Sequence, residues 1–146
     1  MIEYKKAQKI LTKSKIKINN EIILTKNSIN RVCANNIFSP SNYPSANNTA
    51  FDGYAVNSKE TIGLSKKNKK KFKILRTIAA GDKPEIKNFK KYSCVEIMTG
   101  GLIPTYFDTI IPIEKIEYYP NKKKAKFIIV DKKITKSNHV RFSGSD

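Results

Sequence analysis

The sequence predicts an α+β protein that is mostly β: a short helical N-terminal lobe over residues 1–45, then an antiparallel β-rich lobe over 46–138. Three observations predict it. Helical apolar spacing is confined to the start of the chain. After residue 50 every apolar run is short and rich in Ile, Val and Tyr, with turn residues between runs at about 10- to 15-residue spacing. No βαβ alternation occurs there, so a parallel sheet with crossover helices is not expected.

In chain order, IEYKKAQKILTK (2–13) places Ile2, Ala7, Ile10 and Leu11 near helical spacing and predicts a helix that docks one apolar stripe. That stripe holds no Trp or Phe anchor, which argues against a membrane-surface helix. EIILT (21–25) reads as a strand, and KNSINRVCA as a short helix capped by Asn27 or Ser28. NNIFSP is an extended piece stopped by Pro40, and SPSNYPSANNT (39–49) is a loop and lobe boundary. Asp52-Gly53 between apolar flanks reads locally as a hairpin turn, and the basic run SKKNKKKFK (65–73) as a solvated hairpin tip or loop. KFKILRTIAA, YSCVEIMT, DTIIPIEKIEYY and AKFIIV are the strands, separated by Gly81-Asp82, Gly100-Gly101, Pro104 and Pro120-Asn121. No internal repeat is found.

Composition excludes several functions. No stretch approaches the ~20 apolar residues a membrane span needs. The absence of an apolar h-region at the N-terminus argues against a cleaved secretory signal, so a cytoplasmic protein is expected. Cys33 and Cys94 are the only cysteines and His139 the only histidine, which excludes a Cys/His zinc site and a nucleophilic triad. The net charge of +17 suggests nucleic acid, yet the 29 basic residues are 26 Lys and three Arg: Arg31, Arg76 and Arg141. A reader of bases would use guanidinium. Lys, Asn and Ile together supply 61 of the 146 residues, the mark of an AT-rich genome, and drift of that kind loads Lys onto solvated positions.

Three polar clusters remain as candidate chemistry. Asn47 to Tyr54 crowds two amides, a hydroxyl and the Asp52 carboxylate into eight residues, an arrangement that is costly unless these groups bind each other or a ligand. Met98-Thr99-Gly100-Gly101 follows a strand, and its glycines permit a concavity of backbone amides that holds an anion. His139 to Asp146 carries Arg141, able to pair with an anion, on what is otherwise a terminus expected to fray.

In that order these clusters resemble the N-terminal half of the molybdopterin molybdenumtransferase family, the molybdenum insertases that include MoeA and the gephyrin E domain. Asn48-Thr49-Ala50-Phe51-Asp52-Gly53-Tyr54-Ala55-Val56 is similar to N-S-A-M-D-G-Y-A-V, with Phe51 in place of Met. Ala79-Ala80-Gly81-Asp82 is similar to the family's A-A-G-D turn, and Glu96 to Pro104 to R-I-M-T-G-A-P-L-P. Asp108 to Glu114 follows A-D-A-V-V-M-Q-E, and the tail is similar to N-V-R-R-x-G-E-D, thinned to Arg141-Phe142-Ser143 with Ser145 before Asp146. Ala46 and Asn47 replace an aromatic and an acidic residue. The family's G-G-V-S-x-G and P-G-N-P motifs, which belong to its α/β domain, do not occur in these 146 residues.

The resemblance implies a bifurcated β lobe, with residues 139–146 beginning the return to the linker lobe. It implies molybdenum cofactor biosynthesis: binding of adenylylated molybdopterin and molybdate, cleavage of the adenylate with Mg²⁺, metal insertion and release of AMP, in a homodimer whose cleft takes this β lobe as one wall. Asp52 and Thr99 fall on catalytic positions; Asn48, Thr49, Gly100, Gly101, Arg141 and Asp146 fall on substrate-binding ones; no metal ligand is assigned. A wall without its opposite is expected to be inactive alone. Competing readings are a non-catalytic interaction domain that keeps the fold, and a basic β module for nucleic acid. Neither a specific nucleic acid nor a membrane is expected as partner.

Polyanion binding is therefore expected to be weak and unspecific. In filter binding across a salt series, retention should fall steeply with salt and equally for all sequences. A specificity ratio above about 10³ for one sequence would show that the lysines were selected for nucleic acid.

Overall fold

The computed structural model describes residues 1–14 and 18–146, which form two compact units, Met1–Ser39 and Pro40–Asp146. The boundary read from the sequence lies a few residues past this division.

In the first unit, α1 (Tyr4–Lys13) is the α-helix the spacing predicts. Its last turn is closed by Ser14, whose N–H and hydroxyl both donate to the Ile10 carbonyl at 2.9 Å. The stripe is not docked within the unit: Ile10 and Leu11 are 52% and 74% exposed, and no described residue before Pro40 is buried. The strand expected at 21–25 does not form, nor the helix after it. Instead Thr25–Asn27 makes one 3₁₀ turn, closed by the Ser28 hydroxyl on the Thr25 carbonyl at 2.6 Å, and Asn30 at φ 62 turns the chain away. Residues 36–39 belong to no helix or strand. A strand is stable only with a ladder partner, and a helix this short only with a surface to bury against. The unit supplies neither. No described helix is long and apolar enough to cross a membrane.

The second unit is built on β1 (Asn48–Thr49), β2 (Gly53–Val56), β3 (Lys70–Ile78), β4 (Ser93–Ile97), β5 (Thr109–Pro112), β6 (Glu117–Tyr119), β7 (Phe127–Val130) and β8 (Val140–Arg141). Six of them form one sheet in the order β5-β2-β4-β3-β7-β6, while β1 and β8 pair separately. The strand runs predicted after residue 50 all contain strands. The sheet is mixed rather than wholly antiparallel, because β3 and β4 run parallel. The connection between them, residues 79–92, contains no helix. The run 108–119 is not one strand: a 3₁₀ turn at Ile113–Lys115 after Pro112 sends β5 and β6 to opposite edges. The basic run also divides. Ser65–Asn68 is a tight turn, and Lys70 onward is β3, where exposed Lys71 and Lys73 flank buried Phe72.

Alternation along the strands feeds two cores. Tyr54, Val56, Phe72, Cys94, Ile128 and Val130 pack with Leu64, Ile111 and Ile134, and Ala55, Val95, Ile97 and Ile110 with Ile78 and Phe107. Phe72 and Ile78 have the same parity, yet they serve different cores. A register shift between Ile74 and Thr77 supplies the extra residue that reverses the facing of the strand end. Beside that shift Glu96 accepts hydrogen bonds from the Thr77 hydroxyl at 2.6 Å and the Tyr54 hydroxyl at 3.2 Å.

β2 lies between β4 and β5, with all four residues buried. Its first residue must be glycine: a Cβ on Gly53 would stand 2.3 Å from the Ile111 carbonyl oxygen. Gly53→Ala should therefore force the strands apart and cost about 1–3 kcal/mol. Urea unfolding should show a lower midpoint with an unchanged slope; an unchanged midpoint would mean that the β2–β5 contact is loose.

Candidate functional site

The site forms where the chain leaves the two-stranded sheet and enters the six-stranded one. Asp52-Gly53 is not the hairpin turn its local sequence suggests, since β1 and β2 belong to different sheets. The corner is held through Thr49, which is 2% exposed. Its N–H donates to the Gly101 carbonyl at 3.1 Å, and its own carbonyl accepts from Gly100 at 2.9 Å. Its hydroxyl donates to the Phe51 carbonyl at 2.6 Å and accepts from the Phe51 N–H at 3.1 Å. The Asp52 carbonyl accepts from Ile113 at 3.0 Å, and the Ala50 N–H reaches the His139 carbonyl at 3.4 Å.

Asp52 Oδ1 accepts two hydrogen bonds from one residue, the Thr99 N–H at 2.7 Å and the Thr99 hydroxyl at 2.8 Å. The N–H first, and the hydroxyl second, hold the carboxyl below its ordinary range against a small opposing effect of burial. Asp52 is thus a fixed, ionised carboxylate at neutral pH. Its Oδ2 has no partner among the described residues and is the part left for a ligand.

The anion concavity expected at Gly100-Gly101 is closed from within. Gly100, at φ 80, gives its N–H to Thr49, and Gly101 gives its N–H to the Met98 carbonyl at 2.8 Å. These two glycines serve close approach between backbones: a Cβ on Gly101 would meet Met98 O at 2.8 Å and Ile97 Cγ1 at 2.9 Å. Likewise Thr99 has spent its hydroxyl proton on Asp52.

Arg141 reaches the same corner by register, Asn48 opposite Arg141 and Thr49 opposite Val140. Its guanidinium pairs with both oxygens of Asp146, with Nε to Oδ1 at 3.2 Å, and lies 5.9 Å from the Tyr43 ring centre. The tail does not fray. Ser143 N–H donates to Asn47 Oδ1 at 2.9 Å, Gly144 to the Pro44 carbonyl at 3.0 Å and Asp146 to the Tyr43 carbonyl at 3.1 Å. Asn48 Oδ1 is buried without a partner among the described residues. The structure thus brings together Asn48, Thr49, Asp52, Thr99, Gly100 and Gly101, with Arg141 and Asp146 joined to them through β8.

Two features escaped the sequence reading. Phe51 and His139 meet edge to face, with ring centres 4.8 Å apart; the only signal was an aromatic residue inside a polar cluster. A cleft of about 880 Å³ is lined by Phe89, Leu102, Tyr106, Val140 and Phe142 among others, and by neither Asp52 nor Thr99. Within it, Tyr106 donates to buried Glu60 at 2.5 Å, and that bond, ahead of burial, pushes the phenol up to about 12.

Among the described residues no three of His, Cys, Asp and Glu stand close enough to hold a metal ion. Mg²⁺ takes one or two carboxylates together with substrate phosphates and keeps several waters. Asp52 Oδ2 would be a single ligand, so these residues do not by themselves make a Mg²⁺ site, and no step is derived through one.

The depressed carboxyl has a pH consequence. A carboxylate whose folded pKa lies below its unfolded value contributes stability that is complete above the unfolded value and is lost as pH falls through the folded one. Thr99→Val removes the hydroxyl and keeps the N–H. The Asp52 midpoint, followed by carboxyl ¹³C NMR, should then rise part of the way to the ordinary range. An unmoved midpoint would mean that the hydroxyl does not serve Asp52.

Known proteins resemble this chain along nearly its whole length. The family described as the MoeA N-terminal region (domain I and II) matches residues 2–146. The molybdopterin molybdenumtransferase of Staphylococcus epidermidis is 30% identical over 114 residues, covering 78% of this chain and 27% of its own length. That of Haemophilus influenzae is 35% identical over 99 residues, covering 66% and 22%. The crystal structure of the molybdopterin biosynthesis MoeA protein from Pyrococcus horikoshii superposes with a TM-score of 0.71 at 25% identity, over 98% of this chain and 35% of that one. The chain thus spans about a quarter to a third of the length of the proteins it matches. With that family matching all but the first residue, and the fold shared with a solved MoeA structure, these residues belong to the MoeA N-terminal region family, comprising its domains I and II.

Proposed function

We propose that this chain is the N-terminal part of a molybdopterin molybdenumtransferase. It supplies one wall of the cleft in which molybdate is inserted into adenylylated molybdopterin with release of AMP. The observation that carries the reading is the Asp52–Thr99 clamp, which turns two separate motifs into one rigid, charged corner. A lone carboxylate repels molybdate and phosphate alike, so Asp52 acts through a donor: it accepts from a water or from an N–H of the substrate. Positive charge comes from Arg141. Asp146 engages two of its N–H groups, and the remaining donors serve the substrate anions.

The opposite wall is an α/β domain of the kind found in the longer relatives. The protein works as a homodimer in the cytoplasm. The exposure of the first unit supports a partner: Ile22, Val32, Ile37 and Phe38 are each more than 80% exposed. A 39-residue unit that buries no described residue acquires stability by docking on another surface.

A fusion of this chain to the α/β region of a related enzyme tests the reading in an insertase-deficient strain. The fusion should restore molybdoenzyme activity, and Asp52→Asn or Thr99→Ala within it should lower turnover by about 10²-fold. The 146 residues alone should show no adenylyl-molybdopterin cleavage. Turnover by the chain alone would overturn the two-wall arrangement, and a fully active Asp52→Asn fusion would remove Asp52 from the site.

A further inference from the structure

We infer that Phe51 is a stacking platform for a planar nitrogen-heteroaromatic ring that carries a phosphate group. This rests on the reading above, whose substrate contains two such rings, a pterin and an adenine.

Phe51 is 49% exposed on the well-packed Pro40–Asp146 unit. Exposed apolar side chains are ordinary on loose segments, but this one stands on a fixed backbone. The Thr49 hydroxyl holds both the N–H and the carbonyl of Phe51, and the residues on either side are tied to His139 and Ile113. An aromatic ring on so rigid a corner loses little conformational freedom on binding, which is the property of a recognition anchor.

Half of the side chain is open to solvent, and its one ring contact among the described residues covers at most one flat side. His139 meets Phe51 edge to face, at 75° between ring planes, so the contact is not a parallel stack that would cover a flat side. His139 itself sits in the left-handed region at φ 57, and its carbonyl accepts from Ala50 N–H at 3.4 Å. The histidine is therefore a support held in place by the corner.

The neighbouring charge selects the ligand. Asp52 follows Phe51 directly, and its Oδ2 is unpartnered among the described residues, whereas Oδ1 is saturated by Thr99. A purely anionic ligand would be repelled there. Pterin and adenine rings present amino groups on their edges, and a carboxylate oxygen is the natural acceptor for them. Ring on Phe51, ring amino group toward Asp52 and phosphate away from it is the arrangement that reconciles an acidic corner with an anionic substrate.

Three probes test it on the full 146-residue chain by NMR titration: AMP, 6-hydroxymethylpterin phosphate, and ribose 5-phosphate as a ring-free control. At least one ring compound should bind with upfield shifts of its ring protons, and the control should bind more weakly. Phe51→Ala should weaken ring binding about tenfold, while Phe51→Tyr should hold it within about twofold. Equal affinity in wild type and Phe51→Ala, or equal affinity for the ring-free control, would overturn the inference. The fusion separates this from the function itself. Phe51→Ala there should raise KM with kcat little changed. A working fusion whose KM ignores Phe51 would sink the stacking role and keep the insertase reading; ring stacking in a fusion that never turns over would do the reverse.

Discussion

The two-stranded and six-stranded sheets of the Pro40–Asp146 unit share no ladder, and the hydrogen bonding of Thr49 and Asp52 to the segment 99–101 is a central part of what joins them. Backbone-to-backbone bonds from Thr49 bring β1 against that segment. The Asp52 carboxylate then fixes Thr99 from the other side. Both contacts need glycine: Gly53 because the Ile111 carbonyl occupies the space of a Cβ, and Gly101 because the Met98 carbonyl does. The site is consequently a by-product of close backbone approach. The groups that remain available are those the junction does not use: one oxygen of Asp52, the Phe51 ring and part of the Arg141 guanidinium.

That division changes how the charges should be understood. The chain carries a net +17, yet the corner itself is acidic. Arg141 and Asp146 neutralise each other, and Asp52 is held ionised by dipoles rather than by a cation. Around β3 the lysines follow the sheet alternation, Lys71 and Lys73 outward and Phe72 inward. Their positions need only solvent. Charge at the corner depends on named hydrogen bonds, whereas the field of the surface lysines is removed by salt within a Debye length of about 10 Å.

Most of the β lobe was legible because its signals were local. Ile- and Val-rich runs with alternating polarity became strands wherever a neighbour existed to pair with, as at YSCVEIMT and AKFIIV. The parallel β3–β4 pair was not legible, since nothing short-range distinguishes parallel from antiparallel partners. Nor was the register shift after Ile74, which only the packing of Ile78 reveals. The site was half legible. The crowding of polar groups at 47–54 and 98–101 marked both halves. That Thr99 would donate to Asp52 rather than to a ligand, and that the Gly100 and Gly101 amides would be consumed by carbonyls, depends on contacts made across about 50 residues of chain. EIILT failed for the opposite reason. Its β propensity is as strong as that of AKFIIV, but propensity yields a strand only beside a partner.

The contrast between those two segments also explains why one motif can serve fold and site together. From Gly53 to Val56 the residues are buried and pair on both sides, so they are fixed by the core. From Asn48 to Asp52 they are fixed by the corner, and there a side chain as large as Phe51 remains outside. The transition occurs between adjacent residues, Asp52 with its carboxylate in solvent and Gly53 with no room for a methyl group. A carboxylate attached directly to an immobile central strand has almost no freedom to swing away from a repulsive neighbour. A ligand placed there would have to bring donors to it, because the side chain cannot move away.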